Sequence, residues 1–381
     1  MPDQSTIVII GPAHPLRGGL ASFNERLARQ FQHSGHRVII FTFSLQYPGF
    51  LFPGTTQFSS EPAPTDMDIR VKINSINPLN WFAVGSEIKK IRPAILIVRY
   101  WLPFMGPCLG TILRQVKKNA FTKVVCIADN IIPHEKRPGD KSFTSYFIKP
   151  VDAFVTMSKK VMADLRHFDT KKPAVFVSHP LYDNFGEPVT KAVARSFLGL
   201  PDHQKIILFF GFIRQYKGLD LLLEAMSDER IRSAGIHLVV AGEFYEDSKP
   251  YTDLIAKLGI TDTVILRTEF IPDSQVRYYL CAADLVVQPY KNATQSGVTP
   301  LAYHFEKPIV VTRVGALPDM VPHEKVGLVA EPDAKSLATA VLRFYTLGEA
   351  HFLPHLREEK KKYTWDLLEQ NIKLLADGIQ K

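Results

Sequence analysis

Cysteine is scarce in this sequence, and long apolar runs and a secretion signal are missing. The three cysteines, Cys108, Cys126 and Cys281, show neither paired nor metal-like spacing, so we expect reduced thiols. No apolar run approaches the roughly 20 residues of a membrane span. The N-terminus, MPDQSTIVIIGPAHP, lacks the basic and apolar regions of a signal peptide. These absences predict a cytoplasmic protein.

The composition is that of an ordinary soluble chain, but its charge is uneven. With 381 residues, 46% hydrophobic and 22% charged, the chain is long enough for two domains. Residues 1–185 contain 23 Lys and Arg against 13 Asp and Glu, a net charge of +10, whereas the remainder has 23 against 25, or −2. The positive half could face an anionic membrane or substrate. No nucleic-acid-binding motif accompanies it, so we expect no nucleic acid partner.

The first predicted strand ends in a loop that bears glycines. An apolar run over residues 6–10 precedes GPAHPLRGG (residues 11–19) and an amphipathic helix. Strand, glycine-bearing loop and helix form the phosphate-binding arrangement of a Rossmann-like unit. The loop lacks the G-x-G-x-x-G pattern, which argues against NAD or FAD. Gly18 and Gly19 lie at the helix start, where bare N–H groups could approach an anion; a tight turn that needs small residues is the alternative.

Three later loops in the first half also follow predicted strands. Residues 44–58 and 99–107 are rich in aromatic side chains, which either tuck into the domain or form an exposed apolar patch. The strand over residues 124–128 leads into DNIIPHEKRPGD, which contains Asp129, His134 and Glu135. These side chains could transfer protons or bind a hydroxyl group. In the alternative interpretation Asp129 caps a turn and His134 is structural.

In the second half, FFGFIRQYKGL (residues 209–219) predicts a buried strand, a turn and a helix start. Gly211 allows the turn. Arg214 and Lys217 then lie at the carboxyl end of a parallel strand, where open α/β sheets bind ligands. Two cations beside a helix start suit a diphosphate. A solvated loop with two ordinary surface charges is the alternative.

Strands and helices alternate in both halves, which predicts an α/β protein with parallel sheets covered on both faces. HPLYDNFGEP (residues 179–188) is rich in turn-forming residues and lies between the two series. We therefore expect domains over residues 1–183 and 184–364. Residues 365–381 form a last amphipathic helix.

Several separated strings, in the right order, resemble the retaining family 4 glycosyltransferases of the GT-B fold. They are GPAHPLRGGLASFNERLA, DNIIPHE, FFGFIRQYKGLDLLLEAM, AGE and ADLVVQPYKNATQSGVTPLAYHFEKPIVVTRVGALPDMV. The resemblance implies two Rossmann-like domains whose parallel sheets face each other across a cleft. It implies a nucleotide sugar bound mainly by the C-terminal domain and an acceptor bound mainly by the N-terminal one. It also implies that the last helix crosses back onto the first domain.

The same resemblance assigns donor-binding positions. An Arg and a Lys that hold the donor diphosphate match Arg214 and Lys217, and a glycine pair that faces the phosphates matches Gly18 and Gly19. The other implied positions are the helix start that receives the distal phosphate and the loop that meets the base, namely Ser296, Gly297, Val298, Glu269 and Ile271.

Breaking a sugar–phosphate bond produces an oxocarbenium-like centre and a departing diphosphate, which cations and helix N–H groups stabilise. Arg and Lys can replace a metal in this role, and no Asp-x-Asp string ends a predicted strand. We therefore expect no metal and no cofactor, with the nucleotide sugar as co-substrate. The resemblance implies retention, by attack on the face that the leaving group departs, with the diphosphate taking the acceptor's proton.

The sequence departs from the family pattern at two places. The family has two glutamates eight positions apart that bind the donor sugar and the ribose, but Ala293 and Leu301 occupy those positions, or Thr294 and Ala302 after a shift of one. Thr294, Gln295 and Ser296 could bind the sugar instead, which leaves the ribose without a predicted partner. A histidine that often ends the 124–128 strand is Asp129 here, so we expect His134 to share any catalytic role with it.

Three functions remain open. The first is a retaining glycosyltransferase that acts on a glycan or lipid-linked acceptor in polysaccharide assembly, cytoplasmic and peripheral at the inner membrane face. The second keeps the fold but changes the chemistry, as in a nucleotide-sugar epimerase. A phosphorylase would carry a pyridoxal lysine, and nothing marks one. The third is a degenerate, non-catalytic sugar- or partner-binding subunit, which only the missing glutamate pair supports.

Overall fold

A computed structural model describes residues 5–49, 56–133, 137–293 and 296–379. The chain divides into two compact units. The first contains residues 1–180 and 364–381, and the second contains residues 181–363. The sequence placed the boundary after residue 183, whereas the units meet after residue 180.

The first unit contains one sheet of seven parallel strands, in the order β3-β2-β1-β4-β5-β6-β7. Its strands are β1 (Thr6–Ile10), β2 (Arg37–Leu45), β3 (Asp68–Asn74), β4 (Ile95–Tyr100), β5 (Lys123–Ala128), β6 (Ala153–Thr156) and β7 (Ala174–Phe176). β1 lies between β2 and β4, with Ile7 opposite both Val38 and Ile95. The central strands are buried almost throughout, as expected for a sheet covered on both faces.

Helices connect these strands and cover the sheet. They are α1 (Gly19–His33), α2 (Pro78–Ile91), α3 (Gly106–Lys117), α4 (Asp140–Ile148) and α5 (Lys159–Arg166), with the C-terminal α15 (Trp365–Gly378) added from the far end of the chain. α15 packs on the first unit. Its Glu369 accepts a hydrogen bond from Gln30 Nε2 at 2.9 Å, and the Ala376 carbonyl accepts one from Lys123 Nζ at 2.6 Å.

The second unit contains a six-stranded parallel sheet in the order β10-β9-β8-β11-β12-β13. Its strands are β8 (Lys205–Phe210), β9 (Ile236–Ala241), β10 (Val264–Arg267), β11 (Leu285–Gln288), β12 (Ile309–Thr312) and β13 (Gly327–Ala330). The helices are α6 (Lys191–Leu198), α7 (Leu219–Met226), α8 (Glu229–Ser233), α9 (Lys249–Leu258), α10 (Asp273–Ala282), α11 (Val298–His304), α12 (Leu317–Met320), α13 (Ala334–Leu347) and α14 (Glu349–Glu359).

The predicted α/β class, with two Rossmann-like parallel-sheet domains, is confirmed. The sequence missed β3, because this edge strand is half exposed and carries charges on both sides of its apolar residues. Within the described residues, the three cysteines are free and buried. No helix in that part of the chain is long and apolar enough to cross a membrane.

Candidate functional site

The turn after β8 is built around two glycines with positive φ. Gly211 has φ 96° and donates its N–H to the Ala241 carbonyl at 2.9 Å, which keeps the turn in line with the neighbouring strand. Gly218 has φ 67°, and a Cβ there would lie 2.0 Å from the Pro289 carbonyl oxygen. A side chain therefore fits at Gly218 only if the two loops separate. Between these glycines the chain carries Arg214 and Lys217 to the carboxyl edge of the sheet.

Lys217 is a buried lysine that has no counter-ion among the residues that the structure describes. Lys217 is the last residue of a short 3-10 helix, Gln215–Lys217, and it is only 9% exposed. Its Nζ lies 5.8 Å from the centre of the Tyr290 ring. It forms no hydrogen bond or ion pair with any residue that the structure describes. Burial, and then the nearby charge of Arg214, lowers its pKa from 10.5 to about 7. An anion beside Nζ would restore the ammonium form.

Arg214 supplies the second cation of this turn. It is half buried in extended backbone conformation, and its guanidinium lies 5.2 Å from the centre of the Tyr245 ring. No carboxylate within the described ranges pairs with it. The next residue, Gln215, donates its N–H to Glu246 at 2.9 Å, which fixes the backbone of the turn. Neither Arg214 nor Lys217 is therefore engaged by a described carboxylate at this edge.

The start of α11 meets this turn at Gly211. A Cβ on Gly211 would lie 3.3 Å from Lys217 Nζ and 3.7 Å from Val298 Cγ2. Ser296 Oγ accepts the Val298 N–H at 3.2 Å and shares a hydrogen bond of 3.2 Å with the Tyr290 hydroxyl. The structure thus brings Ser296, Gly297 and Val298 to the same place as Lys217, as the sequence predicts for a phosphate site. Thr294 and Gln295 lie outside the described residues.

The loop after β10 joins the turn through aromatic side chains that the sequence analysis missed. Glu269 is exposed and Ile271 is buried in this loop. Between them, Phe270 lies 6.4 Å from Phe212, and Phe212 lies 4.2 Å from Tyr245, centre to centre. This row connects the predicted base-binding loop to the Arg214 turn. These residues lie in loops that are far apart in the sequence, so local spacing could not predict their contact.

The positions of the absent glutamate pair are apolar and closed. Ala293 is 3% and Leu301 4% exposed, so neither contributes a polar group. A carboxylate does lie at this edge, but at another position: Glu243, which follows β9, is buried. The backbone carbonyl of Glu243 accepts the Ile213 N–H at 2.8 Å. Glu243 therefore lies beside the Arg214 turn. The sequence showed it only as the last letter of AGE.

In the first unit, Gly18 and Gly19 begin α1. Gly18 has φ 102°, and its carbonyl accepts the N–H groups of Ala21 and Ser22 at 2.9 and 3.2 Å. The positive φ supports the tight-turn interpretation. It is also compatible with an anion at the helix start, and the anion role of this pair stays a prediction.

Asp129 forms a buried ion pair with an arginine, which the sequence did not predict. Arg99 donates to both carboxylate oxygens, with Nε to Oδ2 and Nη2 to Oδ1 each 2.6 Å. The two side chains are 2% and 8% exposed. The guanidinium also lies 3.8 Å from the centre of the Phe23 ring. Asp129 is therefore part of a buried ion pair that neither alternative included, and its catalytic role stays a prediction. His134 and Glu135 lie outside the described residues.

A buried histidine, His179, lies near the Arg99–Asp129 pair, and the sequence analysis did not identify it as a candidate site residue. His179 is buried, and its Nδ1 lies 2.7 Å from the Pro180 carbonyl oxygen, which it reaches as a donor. Burial lowers its pKa to about 3, and the charge of Arg99 acts in the same direction. The ring packs edge-on against Phe23 at 5.1 Å. His179 is therefore neutral. The sequence analysis missed its burial because the turn-forming residues around it indicated only a domain boundary.

Among the described residues, no three His, Cys, Asp or Glu side chains come close enough to hold a metal ion. Metal independence stays a prediction. In the described part of the second unit, two cations and a helix start thus lie at the carboxyl edge, beside Glu243. The cations and the helix start suit a dianionic phosphate group.

Comparisons with known proteins show what the chain is similar to. Residues 204–346 match the family described as "Glycosyl transferases group 1". The chain is 30% identical over 258 residues to the D-inositol 3-phosphate glycosyltransferase of Saccharomonospora viridis, covering 64% of this chain and 54% of that protein. The chain spans about half the length, or less, of relatives with this name.

Solved structures match over almost the full chain. The sucrose-phosphate synthase of Thermosynechococcus elongatus has a TM-score of 0.73 at 16% identity, covering 98% of both chains. Anabaena Alr3699/HepE in complex with UDP-glucose has a TM-score of 0.73 at 13% identity, covering 98% of this chain and 99% of that one. At these identities the likeness shows the fold.

Proposed function

We propose that this chain is a family 4 glycosyltransferase of the GT-B fold, which the match of residues 204–346 and the fold shared with solved structures support. In this proposal it transfers a hexosyl group from a nucleotide-diphosphate donor to a glycan or lipid-linked acceptor, with retention and without a metal. The donor diphosphate binds Arg214, Lys217 and the start of α11. One observation carries the proposal: the Lys217 Nζ is buried and has no counter-ion among the described residues.

The chemistry follows from where charge develops. When the bond between the sugar and the diphosphate breaks, negative charge grows on the leaving phosphate. Arg214, Lys217 and the N–H groups near Val298 then stabilise the transition state more than the ground state. Because these groups are already desolvated and held in place, little reorganisation is needed. A divalent ion would duplicate charge that the two side chains supply.

The state of Asp129 bears on the route to retention and not on retention itself. A double-displacement route would need a free carboxylate as nucleophile, and both oxygens of Asp129 accept hydrogen bonds from Arg99. We propose instead that the leaving diphosphate accepts the acceptor's proton on the same face, so that no protein base is required.

For the donor we propose a uridine diphosphate sugar, supported by the UDP-glucose complex of the Anabaena protein. Thermal unfolding with UDP, GDP, ADP and CMP, each with and without Mg²⁺, tests donor and metal together. A ligand at 100 times its Kd stabilises the native state by about 2.7 kcal/mol. We expect a clear shift with one diphosphate that is unchanged by Mg²⁺. A shift that needs Mg²⁺ would contradict metal independence, and no shift with any diphosphate would contradict the site.

A second candidate, the non-catalytic subunit, is favoured only by Ala293 and Leu301 at the glutamate positions. The two functions differ in turnover. An active transferase slowly hydrolyses its donor when water replaces the acceptor, whereas a binding subunit shifts its melting temperature with UDP but releases none from UDP-glucose. An epimerase would change the donor sugar without releasing UDP.

We further propose that the protein is cytoplasmic and associates with the anionic inner membrane face through its first unit. The net charge of +10 over residues 1–185 supports this association. Binding to anionic vesicles that weakens with salt is the expected result, since electrostatic attraction to a surface is screened.

A further inference from the structure

The amino ends of four neighbouring strands in the first unit carry a row of cations. Helices run back from the carboxyl edge of a parallel sheet, so the end of each helix and the start of the next strand share the opposite edge. The segments at this edge precede β4, β5, β6 and β7. Six cations that these segments contain, here called the basic edge, are Lys89, Lys90, Arg92, Lys118, Lys149 and Lys171.

Hydrogen bonds join these segments into one continuous surface. Asn119 Nδ2 donates to the Lys89 carbonyl at 3.5 Å, and Thr122 Oγ1 donates to the Pro93 carbonyl at 2.8 Å. Further along, Lys172 Nζ donates to the Lys149 carbonyl at 2.9 Å. The cations of the basic edge are therefore held side by side on a fixed frame.

The charges of the basic edge are not neutralised locally. None of its six cations forms an ion pair with a residue in the described ranges. Two acids at the same edge are already engaged: Asp152 pairs with Lys117 at 2.8 Å, and Asp169 lies 3.9 Å from Lys172. Placement at helix ends explains part of this pattern, because cations there favour the helix dipole. It does not explain why six cations lie along four such ends while the two acids there are engaged by other lysines.

An exposed aromatic residue lies among these cations. Phe121 is 38% exposed, next to Ala120 with φ 51°, in the turn before β5. The Arg92 guanidinium lies 5.1 Å from the centre of the ring. An exposed apolar ring beside cations suits insertion at an anionic lipid interface, where apolar and basic side chains act together.

We infer that the first unit docks on an anionic lipid bilayer through the basic edge, with Phe121 inserted at the interface. Lysines near an anionic surface each contribute about 1 kcal/mol of attraction. The carboxyl edge, where Gly18 and Asp129 lie, then faces away from the bilayer by about 20 Å, the length of a six-residue strand. This inference rests on the proposed membrane association and names its surface, but it does not depend on the transfer chemistry.

Vesicle sedimentation tests the surface. The variant Lys90→Gln/Lys118→Gln/Lys149→Gln removes three exposed cations of the basic edge. The control Lys257→Gln/Lys325→Gln/Lys335→Gln removes three exposed, unpaired lysines of the second unit and gives the same net charge. On phosphatidylcholine vesicles with phosphatidylglycerol at low salt, we expect the edge variant to bind about a hundredfold more weakly. The control variant and the wild type should bind alike.

Site-specific fluorescence tests the orientation. Because the native cysteines are buried, a polarity-sensitive dye can be attached at Phe121→Cys. A matched probe is Leu79→Cys, where the side chain is 81% exposed at the carboxyl edge, at the start of α2. Vesicles should shift the emission of the dye at residue 121 and leave that at residue 79 unchanged.

Three outcomes would overturn the inference. Equal loss of binding in the edge and control variants would show that net charge matters and the surface does not. An emission shift only at residue 79 would place the bilayer at the opposite edge. Binding of an oligonucleotide but not of vesicles would assign the cations to nucleic acid. The UDP-induced melting shift, measured in the same variants without vesicles, reports the donor site separately, so failure of docking and failure of the proposed function are distinguishable.

Discussion

Replacing Lys217 with methionine should stabilise the free protein at neutral pH. The folded pKa of about 7 lies below the ordinary 10.5. Between these values the unfolded chain binds more protons, so the stability of the wild type rises as the pH rises. One pKa unit corresponds to about 1.36 kcal/mol, so burying Lys217 costs about 4 kcal/mol at pH 7 and about 2 kcal/mol at pH 9. Methionine fills a similar volume and bears no charge, which removes this cost.

The stabilising effect of Lys217→Met can be assigned to the second unit because this unit contains no tryptophan. Trp81, Trp101 and Trp365 all belong to the first unit. Tryptophan fluorescence therefore follows the first unit, and calorimetry records both. We expect Lys217→Met to raise the transition that fluorescence does not detect, and to raise it less at pH 9 than at pH 7. Lys257→Met, at an exposed lysine of the second unit, is the matched control and should change neither transition.

The reasoning fails if Lys217→Met melts at or below the wild-type temperature at pH 7. It also fails if the gain is the same at pH 9, because a charge cost must decrease as the lysine loses its proton. Either result would mean that the ammonium is well solvated or paired in the native state. UDP should no longer raise the melting temperature of Lys217→Met, because the substitution that stabilises the free protein also removes a donor-binding group.

Other predictions concern proton uptake and the buried pair. In the free protein at pH 8, about one-tenth of the Lys217 side chains are protonated. UDP binding should therefore take up close to one proton in the wild type and none in Lys217→Met. Calorimetric titration in two buffers of different ionisation enthalpy measures this uptake. Asp129→Asn should destabilise the first unit by about 3–5 kcal/mol, because it leaves Arg99 buried without its counter-charge, and tryptophan fluorescence would record this. The double variant Arg99→Leu/Asp129→Leu should recover much of that loss; a loss equal to that of the single variant would show that the charge pair is not what matters.

The parts predicted from sequence are those that local spacing determines. The turn from Gly211 to Gly218 was recognised because strand, glycine, cations and helix follow each other within a short segment. The strands over residues 206–210 and 124–128 were recognised because they are buried on both faces. In the same way, the absence of carboxylates at residues 293 and 301 was readable directly.

The parts that were missed depend on contacts between distant segments. Arg99 lies on β4 and Asp129 directly follows β5, and only the register of these two strands brings them together. Likewise the burial of Lys217 comes from loops such as that of Tyr290, far along the chain. His179 lay in a string whose turn-forming residues indicated a boundary and nothing about burial. A charge at a strand end can be located from sequence, whereas its partner and its pKa cannot.

The position of α15 has a consequence for the order in which the chain can fold. The first unit is not continuous: its last helix is synthesised after the whole of the second unit. Trp365 packs 4.8 Å from Phe23, and Glu369 accepts hydrogen bonds from both Gln30 and Ser34 at 2.9 Å. A nascent chain therefore exposes this face of α1 until translation reaches residue 365. The second unit can close while it emerges from the ribosome, but the unit that begins first is completed last.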